Sequence, residues 1–336
     1  MTVRASPGTT SLDLSVVTTL YRSARFIREF YYRTVTVAKS VAQDFEIIFV
    51  NDGSPDDSLA IALAIADHDP RVRVVDLSRN FGHHAAVMAG LSYAQGARVF
   101  LIDVDLEERP EWLEPFWRQL EHTGADVVYG IIETRGGGLF KRYSGSLFYK
   151  VFNVVSDTPI PNNACTVRLM RREYCEAIVG LRESGIFLAG LFAWTGFRQI
   201  PLVVSKPVRA DASTYSIVRL IALFVNAITS FSSYPLRLVF FLGVLLTVLS
   251  LSIGTYFVIR KFLDPTRVLI GWASVMVSIW FFGGLIISFL GIMGLYLSGI
   301  YMEAKQRPRF IVRQTYGQNQ LEGAVRASAS TTERIN

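Results

Sequence analysis

The sequence predicts an α/β fold. A mostly parallel, Rossmann-like sheet carries helices on both faces and is followed by an interfacial helix and two transmembrane helices. Three observations predict it. Apolar, β-branched runs alternate with helix-period segments over residues 12–212. Carboxylates crowd where such runs end, most densely in "FLIDVDLEERPEW", Phe100 to Trp112. From Pro235 to Met302 the chain is nearly free of charge.

The elements follow in order. "LDLSVVTTLY" reads as a first strand, and "FEIIFVNDGS" as a second that stops at the turn signal Asn51-Asp52-Gly53. "SPDDSLAIALAIADHD" reads as a helix with Ser54 at the N-cap and Pro55 at the first helical position. "RVRVVDLS" is a third strand, and "GHHAAVMAGLSYAQG" a helix closed by Gly96. "ARVFLIDVD" is a fourth strand, followed by a helix with Pro110 in its first turn. "ADVVYGI" is a fifth strand. Ligands of such sheets bind outside the carboxyl ends of the strands, where Asp52, Asp103 and Asp105 all fall.

The membrane part reads as follows. Residues 213–234 have helix-spaced apolar positions broken by Arg219 and Asn226, as an interfacial amphipathic helix would. Within 235–302, the stretch 238–259 is uncharged and long enough to span. A second span is expected at about 268–293. Lys and Arg are denser beside the chain termini than in the intervening loop, so both termini and the 12–212 domain are expected in the cytoplasm. Residues 1–11 have no apolar signal region and read as a tail, and 303–336 as a cytoplasmic segment ending in a disordered tail.

Composition narrows the function classes. Mean hydropathy is +0.33 over 336 residues, too apolar for an average soluble protein. The net charge of +6 gathers near the membrane segments and around Arg135 to Arg142, which suits anionic headgroups or phosphates. No nucleic-acid motif is present. Cys165 and Cys175 have no metal-type spacing.

Asp103 and Asp105 stand two apart at a strand end. Two such carboxylates repel unless a cation joins them. A hard divalent ion, Mg²⁺ or Mn²⁺, takes one or two carboxylates and fills its shell with water and substrate phosphates. The alternative is a solvated acidic loop.

"LSRNFGHHAAVMAGLSYAQGARVFLIDVDLEERPEWL" resembles the GT-A glycosyltransferases of family 2. The likeness is to the polyprenyl-phosphate branch that includes dolichyl-phosphate mannose synthase and undecaprenyl-phosphate glycosyltransferases. "FVNDGSPDDS", "FKRYSGSLFYKVFN", "RLMRR", "WTGFRQIP" and "PVRADASTYS" extend the resemblance from Leu14 to Arg309. It implies a GT-A catalytic domain and a nucleotide-sugar donor, a UDP-sugar being favoured. It also implies a polyprenyl phosphate acceptor at the bilayer. Asp103, Asp105, Arg142 and Arg209 would be catalytic, and Asp105 and Glu107 would hold the metal. Thr19, Tyr21, Asp52, Gly53, Asn80, His83, Arg135, Ser213 and Tyr215 would bind substrates. Several positions depart from the branch. The first strand ends Thr19-Leu20-Tyr21-Arg22-Ser23 where P-x-Y-N-E is usual. Asn51 replaces the first Asp of D-D-G-S. "NNACTVRL" replaces D-A-G-D-F-R-L, and Thr214 replaces a Lys.

The expected activity is transfer of one sugar from a nucleotide sugar to polyprenyl phosphate on the cytoplasmic leaflet. A homo-oligomer is compatible, and nucleic acid is not an expected partner. Alternatives are a transferase to a lipid-linked sugar or other hydroxyl, and a non-catalytic scaffold that binds nucleotide sugar.

Overall fold

The computed structural model describes residues 12–132, 163–181, 188–205, 234–263 and 272–317. The chain divides into two compact units. One holds the α/β sheet and regains the chain from Pro308 onward, and the other contains two long helices.

Among the described residues, seven strands precede the long helices: β1 (Leu14–Leu20), β2 (Phe45–Asn51), β3 (Val72–Leu77), β4 (Arg98–Leu101), β5 (Val127–Ile132), β6 (Ala164–Arg171) and β7 (Gln199–Val204). An eighth, β8 (Val312–Tyr316), follows them. Together they form one sheet of order β7-β5-β6-β4-β1-β2-β3-β8. The block β4-β1-β2-β3 is parallel. β6 runs antiparallel to both β4 and β5, and β8 antiparallel to β3. The chain winds outward from β1 to β3, then crosses to β4 on the other side of β1. The switch point therefore lies between β1 and β4, where crevices open in such sheets.

Strand alternation sorts the apolar side chains onto two faces. Leu14, Val16, Ile47, Phe49, Val72 and Phe100 lie on one face, with α1 (Ile27–Val41), α2 (Ser58–Ala66) and α4 (Leu113–Thr123) packed against them. Val17, Ile48, Val50, Val75 and Leu101 lie on the other. They meet α3 (His83–Tyr93), α5 (Arg172–Gly180) and α6 (Leu188–Trp194). α3 lies unusually close to the sheet. A Cβ at Gly90 would sit 2.4 Å from Val17 Cγ1 and 2.9 Å from Val50 Cγ2. That approach brings the start of α3 to the ends of β1 and β4.

The end of α3 is fixed from below by a buried polar cluster. Ser15 Oγ donates to Glu46 Oε1 at 2.6 Å. The amides of Gln95 and Gly96 donate to Ser15 Oγ at 3.0 and 2.7 Å, and Gln95 also to Glu46 at 2.8 Å. Arg73 lies 3.5 Å from the second Glu46 oxygen. Gly96 thus anchors the segment after the helix, which itself ends at Tyr93 with Ala94 as its cap.

Several expected boundaries move. α2 begins at Ser58 behind Asp57, not at Pro55, because residues 54–56 bond to the loop after β1. A 3₁₀ turn at Pro110–Trp112 precedes α4. Within the segment after residue 303, Val312–Tyr316 extend the sheet, which the sequence reading did not expect. In the second unit, α7 (Tyr234–Leu263) contains the expected first span and runs on through Arg260 and Lys261, which were expected in a loop. α8 (Trp272–Ala304) follows. Among the described residues, one stretch is long and apolar enough to cross a membrane. It is Phe281–Ala304, 24 residues with mean hydropathy 1.9. The expectation of two spans is therefore met by one stretch, displaced toward the C-terminus from 268–293 because the helix continues to Ala304. The expected interfacial helix lies outside the described residues apart from Tyr234, which belongs to α7.

Glu46→Ala would strand the nearly buried Arg73 guanidinium and remove an acceptor from the Gln95 amide. We expect the α/β unit to lose about 3–5 kcal/mol of unfolding free energy, measured by denaturant titration. A loss below about 1 kcal/mol would show that the cluster is not what fixes α3.

Candidate active site

The crevice at the switch point is built from four chain segments: the loop after β1, the turn after β2, the segment between β3 and α3, and the loop after β4. Asp52 joins two of them. It is 2% exposed, directly after β2. Its Oδ1 accepts the Phe81 amide at 2.7 Å and its Oδ2 the Gly82 amide at 3.0 Å. Asn80 Nδ2 donates back to the Asp52 carbonyl at 3.1 Å. Burial pushes the Asp52 carboxyl above the ordinary range, while the two amides and the charges of His83 and Arg79 pull it down. The structure thus shows Asp52 as the residue that fixes the approach to α3.

Gly53 makes the junction tight. Its φ is +57°, and a Cβ there would lie 2.6 Å from the backbone of Arg79 and Asn80. Asn51, where the resembled motif has Asp, is 3% exposed. Its Nδ2 donates to Asp76 Oδ1 at 2.8 Å, and its Oδ1 accepts the Ser54 amide at 3.3 Å. An aspartate at 51 would set two carboxylates against each other in a buried place. The amide turns that repulsion into a hydrogen bond.

The loop after β1 is tied to the turn after β2 by hydroxyls and one carboxylate. The Arg22 amide donates to Ser54 Oγ at 2.7 Å, which allows Arg22 its left-handed φ of 56°. The Ser23 amide donates to Ser58 Oγ at 3.0 Å and the Ala24 amide to Asp56 Oδ2 at 3.1 Å. Ser54 and Ser58 hydroxyls both donate to Asp56 Oδ1. Burial opposes the charge on Asp56, but these donors prevail and hold its carboxyl at about 2. Tyr21 is left 45% exposed on that loop, with the Arg22 guanidinium over its ring.

The carboxylate loop closes the other side. Glu108 is 1% exposed and takes the Asp103 amide at 3.3 Å on one oxygen and the Val167 amide at 3.4 Å on the other. It therefore pins the loop to β6. Asp105 Oδ1 accepts the Glu107 amide at 3.1 Å around Leu106, whose φ of 62° sharpens the turn. His83, at the start of α3, bridges the crevice. Its Nε2 lies 3.7 Å from Asp103 Oδ1 and its Nδ1 is 3.2 Å from Thr19 Oγ1. The helix starts behind Gly82, with no side-chain cap.

Beneath the loop lies Arg168. Its guanidinium donates to the carbonyls of Thr166 and Cys165 at 3.1 and 3.2 Å and stacks 3.3 Å over the Phe192 ring. Burial pushes it below its ordinary range, opposed by Tyr174 and the charge of Glu108. Thr166 and Cys165 belong to the altered "NNACT" stretch, so that stretch supplies backbone carbonyls to a buried cation.

Thr19, Tyr21, Asp52, Gly53, Asn80, His83, Asp103, Asp105 and Glu107 thus stand on the four segments that frame the crevice. Arg135, Arg142, Arg209, Ser213 and Tyr215 lie outside the described residues. Sequence reasoning missed Glu108, Arg168 and Asp76. The available signal was position: Glu108 lies inside the quoted acidic run, and Asp76 in an otherwise apolar strand end.

The glycosyl transferase family 2 model matches residues 15–179. A Mycobacterium tuberculosis protein named as a glycosyltransferase is 45% identical over 307 residues, 91% of this chain and 89% of that one. The chain belongs to glycosyl transferase family 2. It is an enzyme of the transferase class. The SfII prophage-derived bactoprenol glucosyl transferase of Shigella flexneri is 33% identical, over 92% of this chain and all of that one. A Bacillus subtilis glycosyltransferase is 35% identical, over 91% and 95%. Among solved structures, mannosyl-3-phosphoglycerate synthase from Rubrobacter xylanophilus superposes with a TM-score of 0.44 at 20% identity, over 65% of this chain and 72% of that one.

The depressed Asp56 carboxyl has a pH consequence. Its folded value lies below the unfolded one, near 3.9, so its contribution is complete above that value and fades as pH falls toward 2. Asp56→Asn should flatten the acid limb of the stability curve between about pH 4 and pH 2. An unchanged limb would contradict the assignment.

Proposed function

We propose that this enzyme moves one sugar from a nucleotide sugar, a UDP-sugar by preference, to polyprenyl phosphate at a membrane surface. The observation that carries the reading is the Asp103–Glu107 loop, held by Glu108 at the switch point opposite the uncapped start of α3. Carboxylates on one wall and a positive helix end on the other suit a cation-bound diphosphate. The bactoprenol glucosyl transferases that match along almost the whole chain support a polyprenyl phosphate acceptor.

The donor set supports a hard cation. Asp103, Asp105 and Glu107 offer only oxygen ligands. Such oxygen donors suit Mg²⁺ or Mn²⁺, which takes few protein ligands and completes its shell from phosphates and water. Asp105 and Glu107 would hold it, and when bound it would neutralise charge on the departing diphosphate.

The chain's own residues orient the donor. The Asn51–Ser54 turn and Asn80 frame the nucleotide end, with Asp52 holding both in place. Tyr21 presents an aromatic face beside them. Asp103, with His83 and Thr19, borders the sugar and diphosphate. Arg135, Arg142 and Arg209 would face phosphates, and Ser213 and Tyr215 the acceptor side. A phosphate monoester has its second pKa near 6 and is largely dianionic at neutral pH, so it attacks without a general base. Its oxygen bonds to the anomeric carbon as the bond to the nucleoside diphosphate breaks, which inverts the configuration. α7 and α8 would place the chain at the bilayer as two spans, with the catalytic unit in the cytoplasm.

The test is transfer by purified protein in detergent, with labelled UDP-sugars or GDP-mannose, undecaprenyl phosphate and Mg²⁺ or Mn²⁺. Label should enter the organic phase only with metal, and Asp105→Ala should reduce it roughly 100-fold or more. No label from any donor, in protein that binds nucleotide, would rule out this acceptor.

A further inference from the structure

Downstream of α8 the chain returns to the α/β unit as β8, beside β3. The return is specific. Val74 pairs with Tyr316, Val75 with Thr315, and Asp76 with Gln314, and the register shifts just at Asp76/Leu77. The Ser78 amide donates to the Ile311 carbonyl at 2.8 Å. Close backbone approach continues at Gly317, where a Cβ would lie 2.5 Å from the Val72 carbonyl oxygen. The pairing brings Arg313 to the carboxyl end of β3.

Arg313 makes two contacts there. One terminal nitrogen donates to the Ser78 carbonyl at 2.7 Å, and the other lies 3.5 Å from Asp76 Oδ2. Asp76 is 2% exposed, and its other oxygen takes the Asn51 amide. Asn51 in turn holds the Ser54 amide, and Ser78 opens the Arg79–Asn80 segment that presses on Gly53. One guanidinium therefore touches both halves of the turn assembly: the carboxylate under 51–54 and the backbone leading to 79–82. A carboxylate this buried needs a countercharge. Arg313, its side chain 59% exposed, supplies a cation within ion-pair distance of Asp76.

We infer that Arg313, on the strand formed after the long helices, is a positioning residue for donor binding. It fixes the Asn51–Ser54 turn and the Ser78–Gly82 segment through Asp76 and the Ser78 carbonyl. Its ligand class is the nucleoside diphosphate part of the donor, and the inference rests on reading that turn as the nucleotide site. A fork that bridges a carboxylate and a carbonyl is not replaced by an ammonium, which keeps the charge at one point. Arg313→Lys should therefore be intermediate and Arg313→Gln more severe.

The experiment uses the full chain in detergent and two readouts. First, hydrogen exchange on ligand-free protein compares wild type with Arg313→Gln and Arg313→Lys. Faster exchange at 51–54 and 78–82, graded Gln over Lys, is expected. Faster exchange confined to 311–317 overturns the inference. Second, calorimetry with UDP and GDP, and donor kinetics, compare the same proteins. Arg313→Gln should weaken nucleotide binding and raise donor KM about 3- to 30-fold, with kcat little changed. Asp76→Asn combined with Arg313→Gln should lose less than Arg313→Gln alone, because the buried charge is gone. Equal nucleotide affinity in wild type and Arg313→Gln overturns the inference. If wild type binds neither nucleotide, the proposed function fails, and the exchange result alone decides whether Arg313 holds the two segments.

Discussion

The site depends on a single carboxylate placed between two backbone amides. Asp52 ends β2, and the amides it accepts belong to Phe81 and Gly82 at the threshold of α3. α3 has no side-chain cap of its own, and the bond from Asn80 Nδ2 to the Asp52 carbonyl ties the turn after β2 to the segment after β3 alongside this bridge. With it, the helix start, the Gly53 contact and the Asn80 side chain take fixed places around one crevice. Hydrogen bonds to a charged acceptor are strong where water is excluded, so a 2% exposed carboxylate is well suited to the task.

The rest of the crevice repeats that logic with different donors. Asp56 gathers two hydroxyls and two amides to hold the loop after β1. Glu108 takes two amides to hold the loop after β4 against β6. In each case one carboxylate satisfies backbone groups from separated stretches of chain. Asp103, Asp105 and Glu107 stand on segments fixed in this way. Asp52 and Glu108 do this from buried places and Asp56 from an exposed one, while Asp103, Asp105 and Glu107 stay partly accessible.

Much of this fold was legible in the sequence because its signals are local. β1 to β5 announce themselves by β-branched runs, and α2, α3 and α4 by their place between them, although Pro55 and Gly96 do not mark their ends. The strand-end positions of Asp52, Asp103 and Asp105 follow from those runs alone. What the sequence did not reveal depends on distant pairing. β8 is five residues long and half exposed, and "VRQTY" carries little apolar signal of its own. It becomes a strand only because β3 offers an edge. Asn51 reads as a lost acid until Asp76, 25 residues on, is seen to face it. Arg168 gave no sign of burial, since its partners are backbone carbonyls and an aromatic ring.

On the proposed reading, an acceptor that is already ionised would remove the need for a base, and what would remain is to hold a diphosphate and its cation in line. The fold answers with loops clamped at the switch point of the sheet. The most direct test of that account is the affinity of Asp52→Asn for UDP and GDP. The variant keeps shape and volume but turns one acceptor oxygen into a donor facing an amide. The account predicts a loss of tenfold or more in nucleotide affinity, in protein that still folds. Affinity equal to wild type would contradict it.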